Sequence, residues 1–297
     1  MRDYWLTQYL LAAIGWTYII GVLIATTLAL WLPKTKQTKT IATMIIIGLS
    51  AILPLKGYQG YRKEQQEAQA YKARLEKAQV LYAERCKTAG DKIYRTVENV
   101  EGVLLIKVRP DEINLSNQYA MDDPFGADCH GIACVEGLLR ISKGASSFPK
   151  GASIRNGKFN WVEAVDTSDN QLYRYVGITK FHPNGDPYFS TEKTKIERPM
   201  ARFGITYDDI STREDREQWI AGGSLKVIDL TTQEIIAERT GFMMDIGLGN
   251  TNGSRSPWAY AYDHACPQLS TTTDGRAIIG GRTQKFVFSV LHSPVEK

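Results

Sequence analysis

Residues 224–243 read SLKVIDL-TTQ-EIIAERTGFM, two alternating runs joined by a polar three-residue link. Alternation puts apolar side chains on one face of a strand and polar ones on the other, and a short polar link between two such runs makes a hairpin. Further strand-like segments lie at 102–108, 158–165, 171–179, 201–207 and 285–291, rich in β-branched or aromatic residues and bounded by Gly, Pro, Asn or Asp. Short helices are expected at 91–97, 132–141 and 213–219, and Gly/Ser/Asn-rich stretches such as 247–257 read as surface loops. The expected fold is α+β, with residues 91–297 forming one mainly antiparallel β domain.

Upstream, residues 59–86 contain no proline and no glycine after Gly60, and are rich in strong helix formers. Ala68, Tyr71, Leu75, Ala78 and Tyr82 recur at spacings of three and four, the seam of a coiled coil. Barely three heptads, with two alanines in the seam, are too few for a long coiled coil. The seam predicts a stalk helix, residues 59–90, that packs on the β domain; a homodimer through residues 68–82 is the competing use.

Residues 1–58 have a different grammar. No charged side chain occurs from Leu6 to Pro33, and about 20 apolar residues suffice to cross a bilayer core. Tyr4, Trp5 and Trp31 flank the run where interfacial aromatics belong. The run is longer than the apolar core of a signal peptide. A second uncharged run, Thr40 to Leu55, gives about 24 Å of helix, with Pro54 expected in its last turn. Lys39 and Lys56 can snorkel from its ends, which favours a transmembrane hairpin over a re-entrant or surface-lying segment.

Lys34, Lys36 and Lys39 fill the short connection between the two runs, and short loops of that kind stay in the cytoplasm. The C-terminal domain then lies across the bacterial inner membrane, in the periplasm. Cys86, Cys129, Cys134 and Cys266 all follow the apolar runs, an even set that suits disulfides in an oxidising compartment. Four cysteines allow three pairings, and the sequence does not choose among them.

Charge and motifs narrow the function. The net charge is +4 and residues 1–55 carry +3 of it, so residues 56–297 are nearly neutral at +1. A neutral domain lacks the electrostatic footprint of a nucleic-acid binder. Cys129, His130 and Cys134 lack the second nearby pair that a zinc site wants, and C-x-x-C-H haem attachment is absent. Asp122, Asp123 and Asp128 lack the alternating pattern and closing glutamate of a calcium loop. Residues 151–158 place five residues between two glycines instead of the four of a phosphate loop, with Phe159 where Ser or Thr belongs. No G-x-S-x-G or H-E-x-x-H motif occurs, and Asp263-His264 reads as loop. No metal, cofactor or catalytic residue is expected.

Aromatics are the positive signal. Arg255-Ser-Pro-Trp-Ala-Tyr-Ala-Tyr262 concentrates the residue types that dominate protein interfaces, so Arg255, Trp258, Tyr260 and Tyr262 form the expected contact surface. The stretches 207–216, 219–230 and 235–239, with Arg255-Ser-Pro-Trp258 and Ala265-Cys-Pro267, resemble proteobacterial envelope proteins over roughly the last 100 residues. That resemblance implies a protein partner, in its sharpest form a toxin passed between bacteria with this chain as its immunity protein. An accessory subunit of an envelope or secretion assembly, and a periplasmic enzyme without a recognisable motif, are the alternatives.

Overall fold

The computed structural model describes residues 2–120, 125–139, 159–275, 277–278 and 280–294. The chain divides into two compact units, Met1–Ala73 and Arg74–Lys297. In the first, α1 (Arg2–Trp31) and the start of α2 (Lys36–Cys86) are two helices long and apolar enough to cross a membrane. Their hydroxyls do not stay unmatched: Thr17, Thr26 and Thr27 donate to carbonyls three or four residues back along α1.

One expectation fails at Pro54. The helix does not end there; α2 runs unbroken from Lys36 to Cys86, so the second apolar run and the stalk are one element. Proline has no N–H for the carbonyl four residues earlier, that of Ser50. The Tyr18 hydroxyl on α1 donates to that same Ser50 carbonyl, filling the vacancy and tying α1 to α2.

The second unit is built on a sheet of β1 (Gly90–Ile93), β2 (Gly102–Leu105), β3 (Trp161–Val165), β4 (Leu172–Phe181), β5 (Pro187–Lys195), β6 (Phe203–Asp209), β7 (Ile220–Asp229), β8 (Glu234–Met244) and β9 (Ala265–Cys266). Across the sheet the order is β1-β8-β7-β6-β2-β3-β4-β5, with β9 beside β8. Every pairing is antiparallel except those of β2, which runs parallel to both β3 and β6. The 224–243 hairpin forms as β7 and β8, and the α+β class holds.

Two local readings are corrected. Residues 91–97 are not helical: Gly90–Ile93 pairs with β8, and the Asp91–Arg239 ion pair ties the two strands side chain to side chain. Residues 285–291 are not a strand but lie in α6 (Arg282–Val290). Thr283, Phe286, Val287 and Val290 are its buried face, at helical spacing. The same run also alternates, which is why a short apolar run does not reveal its period. β5 was not foreseen, although Asn184-Gly185, with Gly185 at φ +87°, is a turn signal.

Two cores result. The first lies on the face of the sheet closed by α3 (Gly131–Leu138) and α6, and includes Val103, Leu105, Val162, Ile205, Val227, Leu138 and Val287. The second gathers Trp219, Phe242, Met244, Leu248, Trp258 and Tyr262 with Ala78 of α2. Leu75 and Tyr82 pack against this second core, so the C-terminal half of the seam serves the globular unit and is not open to a dimer partner. Burial pushes the Tyr82 hydroxyl up to about 12, and it donates to the His264 carbonyl at 2.6 Å.

Candidate functional site

Trp258 was expected on a contact surface, and it is core. It sits on α5 (Pro257–Ala261), a short helix opened by Pro257 at its first position, and only 2% of it is exposed. Its backbone N–H donates to the Leu115 carbonyl at 3.1 Å and its indole N–H to the Asn117 carbonyl at 3.0 Å. The Trp219 ring lies 5.0 Å away, and the Arg216 guanidinium stacks over the indole at 5.1 Å. Tyr262 is also core, 4% exposed and against Phe125. An interface tryptophan and a core tryptophan share one composition, and spacing on so short a helix does not separate them.

Tyr260 does face solvent, 52% exposed, with the Arg255 guanidinium 4.5 Å from its ring. Arg255 is fixed from behind by both carboxylate oxygens of Asp245, which is fully buried. The Asp245 carboxylate also accepts from the N–H groups of Gly247 and Gly249. The Gly-rich stretch read as loose surface loop is therefore organised around one buried carboxylate.

A second tyrosine repeats the arrangement. Tyr119 is 47% exposed and carries the Arg213 guanidinium at 5.0 Å. Arg213 opens α4 (Arg213–Glu217), which begins in a capping box between Thr212 and Asp215. Asp215 is fully buried and pairs with Arg85 of α2 at 2.8 Å. The Trp258 bonds to Leu115 and Asn117, and the Gln118 amide donating to the Arg216 carbonyl at 2.7 Å, hold this segment against α5 and α4. Leu115 and Ile246 are exposed beside these elements. Neither Tyr119 nor Arg213 carried a sequence signal; only the fold brings them near Tyr260.

The cysteines form two pairs, Cys86–Cys266 with Cα atoms 5.7 Å apart and Cys129–Cys134 at 4.6 Å, both within disulfide range. The first joins the last residue of α2 to β9; the second brackets the start of α3. Of the three aspartates weighed as a calcium loop, Asp122 and Asp123 lie outside the described residues, as does 151–158. Asp128 accepts from the N–H groups of Arg282 and Thr283, both at 2.8 Å, and from the Thr283 hydroxyl at 2.6 Å. It caps α6, a carboxylate at the positive end of a helix. Asp263 accepts from the Ala277 N–H, and the His264 backbone carbonyl accepts from Tyr82, so each member of that pair is engaged separately.

One further concave feature lies in this unit. A cavity of ≈ 40 Å³ is lined by Arg109, Arg239, Arg282, Asp128, Phe125 and the backbone where Gly223 faces Gly241 across β7 and β8. The Arg239 guanidinium makes two bonds to Asp91, at 2.6 and 2.7 Å, and a third to the Arg282 carbonyl at 2.8 Å. Arg109 donates to the Cys129 carbonyl at 3.3 Å and stacks on Tyr207 at 4.1 Å. Burial, and then the like charge of Arg239, pull the Arg282 guanidinium below the usual arginine range.

Compared with known proteins, the chain matches no family model, no curated protein and no solved structure.

Proposed function

We propose that this chain is a membrane-tethered binding module whose globular unit works in the periplasm and captures a protein partner through the Tyr119–Tyr260 surface. The observation that carries the reading is the pair of exposed tyrosines, each stacked by an arginine and backed by buried structure. Tyr and Arg on a fixed platform lose little freedom on binding and dominate interface energetics. The two apolar helices supply the tether, and the lysine-filled connection between them together with the paired cysteines supports the periplasmic side. The sharpest form of the proposal is an immunity protein that neutralises an envelope-directed toxin.

The test is site-specific photocross-linking in intact cells, with the reactive residue at Tyr119, at Tyr260, and at exposed Lys180 on β4 as a control. One discrete protein adduct from the two tyrosine positions and none from Lys180 supports the reading. Adducts from Lys180 alone, or from none of the three, contradict it.

A further inference from the structure

Five N–H donors on a guanidinium need acceptors once water is removed. The Arg282 side chain makes no hydrogen bond or ion pair among the described residues, although burial and the neighbouring Arg239 both disfavour its charge. Its nearest acid does not answer the need. The Asp128 carboxylate is spent on the two backbone N–H groups at the start of α6 and on the Thr283 hydroxyl. Asp91 is taken up by Arg239.

We propose that the cavity beside α6 is a binding site for a carboxylate group, recognised by the guanidinium of Arg282 next to that of Arg239. Size and shape select the ligand class. A volume of ≈ 40 Å³ has room for about three waters, or one small group, and none for a sugar ring or a nucleobase. The floor carries no side chain where Gly223 pairs with Gly241, and a Cβ at Gly241 would meet the Phe125 ring at 3.2 Å. A carboxylate is planar and matches the fork of a guanidinium with two parallel hydrogen bonds. It also neutralises two like charges that the fold brings together. Two sources present this chemistry: a free small carboxylate, and the carboxylate terminus of a peptide.

The full chain in detergent is titrated with acetate against chloride at equal ionic strength. It is then titrated with a short peptide ending in a free carboxylate and with its C-terminal amide. Saturable stabilisation by acetate, by the free-acid peptide, or by both supports the site. Acetate alone assigns a small-molecule ligand, and the free-acid peptide without its amide assigns a chain terminus. Arg282→Gln should weaken the binding at least tenfold, with tryptophan fluorescence showing an unchanged fold. Arg282→Lys keeps the charge but loses the fork, and should also fall about tenfold; it decides the matter if Arg282→Gln does not fold. No saturable effect from either ligand, or undiminished binding in a folded Arg282 variant, overturns the proposal.

Discussion

The two cores of the globular unit are built by different means. The first is periodic: alternate residues of β2, β3, β6 and β7 meet the helical stripes of α3 and α6, and its disulfide spans only 5 residues. The second is assembled from irregular pieces: the end of α2, Trp219, Leu248 in a loop, Trp258 on a five-residue helix and Tyr262 in a single turn. Around it lie the buried carboxylates Asp215 and Asp245, each paired to an arginine, and its disulfide spans 180 residues. Periodic segments find their partners through local pattern. Irregular ones depend on covalent and ionic constraints between distant parts of the chain.

The largest expected effect separates the two disulfides. Replacing Cys86 and Cys266 together by Ser should cost about 5 kcal/mol in the chain-entropy treatment, against about 2 kcal/mol for the Cys129/Cys134 pair. Urea denaturation of the oxidised chain, followed by near-UV circular dichroism, measures both. Equal losses would break the contrast between the cores.

Within the second core, Trp258→Ala should cost about 3–5 kcal/mol, as for other buried tryptophans. Asp245→Ala strands the Arg255 guanidinium and opens the loop it organises, at about 3 kcal/mol. Both are read from the same urea midpoints, and a change under about 1 kcal/mol in either would show that this core does not need it.

Acid probes the sheet instead. Arg202 holds the Asp229 carboxyl below its usual value, and Lys107 does the same for Asp208. Their folded-state values lie below those of the unfolded chain, so their stabilisation is complete above about pH 4–5 and is lost as the pH falls through the depressed values. The urea midpoint should be level from pH 7 to 5 and fall steadily below 4, and Asp229→Asn should flatten that fall. A midpoint independent of pH between 5 and 2 would remove this contribution.

The smallest effect falls on the surface. Tyr260→Ala should change stability by less than about 0.5 kcal/mol, because the ring faces solvent. Photocross-linking from Tyr119 should nevertheless fall sharply in that variant. Loss of several kcal/mol would place Tyr260 with Trp258 in the core instead of on the binding surface.

Legibility followed the same divide. The β7–β8 hairpin, the two apolar helices and the helical pieces at 132–141 and 213–219 were readable because their signal is local. Residues 285–291 were misread because Phe286, Phe288 and Val290 alternate while Phe286, Val287 and Val290 also recur helically. The 91–97 segment became an edge strand through β8 and Arg239, which lie some 150 positions away. At the candidate site, Tyr260 and Arg255 were visible, but Trp258 and Tyr262 shared their composition and went inward. Tyr119, Arg213 and Arg282 had no signal, since each gains its role from a partner supplied by the fold.

The claim on which the rest depends is an exported domain locked by Cys86 to the helix that begins in the apolar hairpin. Thiols trapped in intact cells with an alkylating reagent, followed by non-reducing digestion and mass spectrometry, test it directly. The expected result is two linked peptides, Cys86 with Cys266 and Cys129 with Cys134, and no alkylated cysteine. Four alkylated thiols would contradict both the compartment and the clamp, and Cys86 linked to Cys129 or Cys134 would contradict the assembly of the second core.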